Sequence, residues 1–100
     1  MNLTQFQQIA KALSDPRRFE VLEVIATAGG SELSCGAVVK RFPVAQATIS
    51  HHLKEFVDSG LVETRSEGQF KYLHARSDVL EEYTIELRRR LTPSLGKQKE

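Results

Sequence analysis

The chain has 100 residues, 40% of them apolar and 27% charged, with a formal net charge of +1. That length supports one domain with a modest core, no apolar run is long enough to span a membrane, and residues 1–13 lack the basic start and apolar block of a signal peptide. A single cysteine, Cys35, excludes an internal disulfide and fits a reducing, cytoplasmic setting.

Residues 4–13 are predicted to form a helix, with Leu3, Phe6, Ile9, Ala10 and Leu13 recurring at helical spacing. Asp15-Pro16 starts a second helix, pairing an N-cap acceptor with a first-turn proline. This helix is expected to bury Phe19, Val21, Leu22 and Ile25 and to stop at Gly29-Gly30. Residues 31–33 read as a short loop or strand. Ser34 can cap a third helix running to Phe42, with Ala37, Val38 and Phe42 inward. Pro43 breaks it, because the residue before a proline avoids the α region. A fourth helix spans about 45–59 and ends at Gly60, which supplies a left-handed stop. Two helices joined by so short a turn form a helix-turn-helix.

Beyond Gly60 the pattern changes. Leu61-Val62-Glu63-Thr64-Arg65 and Phe70-Lys71-Tyr72-Leu73-His74 read as two strands, with Glu67-Gly68 at the hairpin tip. Ser77 or Asp78 caps a last helix through about Leu91, and 92–100 form a flexible polar tail. The order α-α-α-α-β-β-α, with a hairpin behind a helix-turn-helix, predicts a mainly α winged helix over 1–91.

Net charge decides nothing about a DNA partner, since the excess of lysine and arginine between Lys40 and Arg76 is small. The fourth helix is more informative. At 100° per residue, Ile49, Leu53, Phe56, Val57 and Gly60 share the core side, and Ala47, His51, Lys54, Glu55 and Asp58 the opposite side. Thr48 and Ser50 flank the exposed face, and Gln46 sits in the first turn. Gln, Thr, Ser and His present donors and acceptors suited to base edges in the major groove. Helix-turn-helix proteins insert this end of this helix. Gln46, Ala47, Thr48, Ser50, His51 and Lys54 are therefore candidate DNA contacts, and His52, at the edge of the core face, reads as a packed structural histidine. On the hairpin, Arg65, Gln69 and Lys71 are candidates for backbone contacts, with Glu67 opposing phosphate at the tip.

The terminal helices carry apolar stripes of their own: Leu3, Phe6, Ile9 and Leu13 in the first, Leu80, Tyr83, Leu87 and Leu91 in the last. One subunit of this size is not expected to cover both, which predicts a homodimer through these helices.

Ala12-Leu13-Ser14-Asp15-Pro16-Arg17-Arg18, the run from Gln46 through Thr48-Ile49-Ser50-His51-His52-Leu53 to Lys54, Ser59-Gly60-Leu61-Val62, and Glu67-Gly68 with Tyr72 together resemble the ArsR family of winged-helix repressors. The resemblance covers about residues 5–90. It implies a dimer built from the first and last helices, a palindromic double-stranded DNA operator and repression relieved by an effector. Four positions depart from the family pattern. Ala45 stands where serine is common, Ala47 where proline is, and Ser66 and Gln69 where arginines flank the wing's Glu-Gly.

Many members of that family sense metals, but no metal site of familiar spacing is found here. The third-helix region offers Cys35 alone. The last helix has Asp78, Glu81, Glu82 and Glu86 without a histidine, a poor set for soft metals. No cofactor is expected, and the effector is left open. Cys35 near a helix start is a candidate redox or electrophile sensor, or else a small packed residue. The competing function is a winged-helix protein-interaction module. An enzyme is not expected, because no base–orienter pair or phosphate-binding glycine loop accompanies Cys35.

Overall fold

The first three helices each begin on a side chain that accepts a backbone N–H. In the computed structural model, which describes residues 1–92, Asn2 Oδ1 accepts from Gln5 N at 2.8 Å and opens α1 (Leu3–Leu13). Asp15 Oδ1 accepts from Arg18 N at 2.9 Å and opens α2 (Pro16–Ala26), with Pro16 in the first turn. Ser34 Oγ accepts from Ala37 N at 3.1 Å and opens α3 (Cys35–Val39). Each bond satisfies an amide that the first turn leaves without a partner.

The next helix, α4 (Gln46–Ser59), starts without that help: Ala45 is extended, and its methyl cannot accept a hydrogen bond. Its other end is firm. Gly60 has φ +87°, and its N–H returns to the Phe56 and Val57 carbonyls. A side chain at Gly60 would be strained at that angle and would also meet Gln5 Nε2 at 3.0 Å.

Strands β2 (Val62–Glu67) and β3 (Phe70–Ala75) form the wing. The turn lies one residue later than expected, at Gly68-Gln69, with φ +61° at Gly68 only. A two-residue hairpin turn with left-handed glycine first is the II′ geometry. A third strand, β1 (Leu33–Ser34), pairs antiparallel with β3, so the sheet order is β1-β3-β2. The final helix is α5 (Ser77–Leu91). It begins at Arg76 without a side-chain cap; Asp78 binds Arg76 instead, and Ser77 is already helical. The architecture is a winged helix-turn-helix, mainly helical with a small antiparallel sheet.

The core draws on every layer: Ile9, Ala12, Val21, Ile25, Val38, Ile49, Phe56, Leu61, Val62 and Leu73 are fully enclosed or nearly so. Several expectations about burial fail in a consistent way. Phe19 is 44% exposed and Val57 37%; Ser59 is buried, and so is His52, as its place at the edge of the core face implied. The buried face of α4 is thus turned toward His52 and Ser59, which leaves Val57 on the side facing the wing. Ser59 satisfies its hydroxyl on the Phe56 carbonyl at 2.9 Å. The third helix stops at Val39 rather than Phe42, and Phe42 lies under Arg17, whose guanidinium is 5.7 Å from its ring.

Both terminal stripes divide. In α1, Ile9 joins Ala12 in the protomer's own core, while Leu3 stays exposed and Phe6 and Leu13 half-buried. In α5, Tyr83 is buried and stacks on Phe6 with ring centroids 5.1 Å apart. Leu80 and Leu91 remain exposed and Leu87 half-buried. Ile9 and Tyr83 therefore serve the protomer's interior, a correction to their assignment to a dimer seam. None of the helices described is long and apolar enough to cross a membrane. The tail from residue 93 lies outside the described residues.

Candidate nucleic-acid interface

The hairpin register determines which wing residues face the recognition helix. Val62 pairs with Ala75, Thr64 with Leu73 and Ser66 with Lys71; Glu63 pairs with His74, Arg65 with Tyr72 and Glu67 with Phe70. Residues paired directly across an antiparallel ladder share a face, and successive pairs alternate. Since Leu73 is in the core, Thr64 and Lys71 lie on the inner face, toward α4. Arg65 and Tyr72 lie on the outer one.

A cleft runs between α4 and that inner face. Ser50, Leu53, Lys54 and Val57 form one wall and Thr64, Lys71 and Leu73 the other, with Cys35 at the floor. It continues toward the start of α4, where Gln46, Lys40 and Cys35 meet Gln69 and Lys71. Five of the expected contact residues, Gln46, Ser50, Lys54, Gln69 and Lys71, thus line two adjoining hollows that share Cys35 and Lys71. Ala47, Thr48 and His51 are also exposed, on the neighbouring face of α4. Sequence reasoning overlooked Lys40, Thr64 and Val57 as lining residues. The parity of Thr64 and Lys71 was implicit in the hairpin, but it could be used only once the turn had been placed.

Arg65 does not join this arrangement. Its guanidinium makes a two-pronged contact with Glu32 at 2.8–3.0 Å, binds Glu67 at 3.0 Å and lies 4.8 Å from the Tyr72 ring centroid. Glu32, held beside it, has a carboxyl below its usual range because Arg65 hydrogen-bonds to it. Arg65 is a clamp between the wing and the loop before β1, and its charge is neutralised by two carboxylates. Glu67 accordingly faces Arg65 and is not a lone charge at the tip. Lys54 carries a lighter restraint, an exposed 2.7 Å contact with Asp58 one turn on, which raises its pKa. Surface pairs of this kind are weak and readily exchanged for phosphate.

Cys35 is half-buried at the start of α3. Burial raises its thiol pKa, and nearby Lys71 opposes this only in part. The five-residue α3 behind it is too short to make it a reactive thiolate. Among the described residues no group of three or more His, Cys, Asp or Glu side chains is placed to hold a metal ion.

Comparison with known proteins agrees with the winged helix-turn-helix fold. Residues 13–65 match a family model described as a helix-turn-helix domain. The chain is 32% identical to the arsenical resistance operon repressor of Staphylococcus aureus, over 82% of this chain and 76% of that one. The chain belongs to the ArsR family. Another relative, an uncharacterized HTH-type transcriptional regulator of Bacillus subtilis, is 37% identical over 76% of this chain and 75% of its own. Among solved structures, an ArsR-like transcriptional regulator from Rhodococcus sp. RHA1 superposes with a TM-score of 0.77 at 24% identity, covering 95% of this chain and 86% of that one. A homodimeric winged helix-turn-helix DNA-binding domain from Mycobacterium bovis, described as a possible ArsR-family regulator, gives 0.69 at 26% identity, with coverages of 90% and 82%. ArsR-family proteins of this kind are transcriptional regulators and not enzymes.

Proposed function

We propose that this ArsR-family protein is a cytoplasmic, homodimeric repressor that recognises a palindromic operator and is released by an effector outside the family's usual metal chemistry. The observation that carries the reading is the α4–wing cleft. Gln46 and Ser50 offer base-reading groups along the helix, and Lys54, Gln69 and Lys71 flank them where a DNA backbone would run. Repression is supported by the name of the S. aureus relative, and dimerisation by that of the M. bovis domain. Leu3, Phe6 and Leu13 with Leu80, Leu87 and Leu91 supply the apolar surface for a two-fold seam. Such a pairing would set the two α4 helices about one DNA turn apart, roughly 34–36 Å. The unfavourable metal chemistry is supported by the lone Cys35 and the histidine-free α5.

The test is binding to the DNA upstream of the protein's own gene. A duplex carrying an inverted repeat should be bound more tightly than a scrambled duplex. Gln46→Ala and Ser50→Ala should each weaken the specific complex by about 1–3 kcal/mol and leave the scrambled one nearly unchanged. Equal affinity for both duplexes would reject the reading in favour of a protein-interaction module. Zinc, cadmium, nickel, copper or arsenite added to the complex should not release it stoichiometrically.

A further inference from the structure

His52 lies on the opposite side of α4 from the cleft and is 8% exposed. Its Nδ1 accepts a hydrogen bond from Arg18 Nε at 3.4 Å. The same guanidinium donates through Nη1 to the Lys11 carbonyl at 3.1 Å. The Arg18 backbone N–H is held by Asp15, the cap of α2. One side chain therefore ties the end of α1 and the start of α2 to the back of the recognition helix. That tie falls in the half of α4 that begins without a side-chain cap.

The bond fixes the protonation of the ring. An imidazole nitrogen accepts only when it carries no proton, so the single proton of His52 sits on Nε2. A second proton would turn the acceptor into a donor facing a guanidinium.

We propose that Arg18 and His52 are positioning residues for DNA recognition, setting the angle of α4 against the α1–α2 corner only while His52 is neutral. The proposal rests on the DNA-binding function argued above. The charged groups around His52 are Arg18, Arg17 and Asp15 on the α2 side, with His51 beside it on α4. Burial first, then Arg18, pushes the His52 pKa below its ordinary value, and Asp15 pulls the other way. A depressed histidine favours the folded, paired state above the ordinary value of 6.5 and opposes it progressively as pH falls below that. Acid should therefore loosen α4.

The experiment compares operator affinity of wild type and His52→Asn from pH 8 to 5.5 at constant ionic strength. Asparagine can place an acceptor oxygen near the position of Nδ1 and does not titrate, and His51 contributes equally to both proteins. The two affinities should agree within about threefold at pH 8 and diverge about tenfold by pH 5.5, wild type being the weaker. Arg18→Met, which keeps the aliphatic stem, should weaken operator binding about tenfold at pH 8, and Arg18→Lys should restore part of the loss. Parallel pH profiles for wild type and His52→Asn overturn the proposal, as does a folded Arg18→Met that binds like wild type. If Arg18→Met does not fold, the His52→Asn comparison decides alone. Operator preference with parallel profiles counts against this pair only. Loss of operator preference in wild type at every pH removes the DNA-binding reading and this proposal with it.

Discussion

Arg65 and Glu32, 33 residues apart in sequence, form a two-pronged ion pair on the outer face of the wing. The wing's one arginine is thereby held by Glu32 and Glu67 on the face away from the cleft. Lys71, on the inner face, shares the cleft with Gln46 and Ser50 and has no ion-pair partner among the described residues. Neutralising Lys71 should flatten the salt dependence of DNA binding by roughly one unit in the log–log slope, as expected for one lost phosphate contact. Arg65→Ala should leave that slope nearly unchanged, and Glu32→Gln should strengthen non-specific binding by freeing the guanidinium. Affinities measured across a salt series decide this; a larger change for Arg65→Ala than for Lys71→Ala would contradict it.

Ala45 already has the extended backbone of an N-cap, φ −63° and ψ 144°, and lacks only the acceptor. Ala45→Ser should therefore stabilise the fold by about 1 kcal/mol. For a domain of this size that corresponds to a rise in Tm of roughly 4–8 °C. Thermal unfolding followed by circular dichroism is the check, and an unchanged or lower Tm would show that the start of α4 is satisfied in another way.

The divided stripes separate folding from assembly. Ile9→Ala opens a hole in a fully enclosed site and should cost about 2–5 kcal/mol of fold stability. Leu87→Glu sits at a half-buried edge, where a charge is costly only once a partner covers it. It should yield monomers in sedimentation with native helical content and much weakened operator binding. A Leu87→Glu protein that remains dimeric would place the seam elsewhere.

Glu86 is 9% exposed and is held by Arg89 Nε and Nη2, both at 2.7 Å, and by Arg90 Nε at 3.1 Å. The Arg89 hydrogen bond, against some cost of burial, brings its pKa down to about 2. Its contribution to stability is complete above the ordinary value of 4.5 and is lost as pH falls from there toward 2. Glu86→Gln should be less stable than wild type at pH 7 and lose less stability between pH 4.5 and 2. Parallel denaturation midpoints across that range would contradict the assignment.

The winged-helix order, the bounds of all five helices to within about three residues, and the exposed polar end of α4 were legible from period and punctuation alone. Local signals sufficed for these: Asp15-Pro16, Gly60 and the β-branched and aromatic residues of the two wing strands. The misses share one cause, contacts between residues distant in sequence. The two-residue β1, left open between loop and strand over residues 31–33, is decided by the pairing of Leu33 and Ser34 with Leu73 and Tyr72. Arg65 looked available because Glu32 is on another element. Phe19 and Val57 have the chemistry of core residues, and only the rotation of their helices against neighbours decides that they face outward. His52 was placed in the interior by helical angle, but its partner Arg18 could not be read from spacing.

Ile9 and Tyr83 are buried within each protomer, so the proposed assembly through Leu3, Leu80, Leu87 and Leu91 would be an equilibrium separate from folding. Below the dimer dissociation constant, occupancy of a two-fold operator rises with the square of protomer concentration. A modest change in how much of this protein a cell makes would switch its target more sharply than a protein that binds DNA as a single chain.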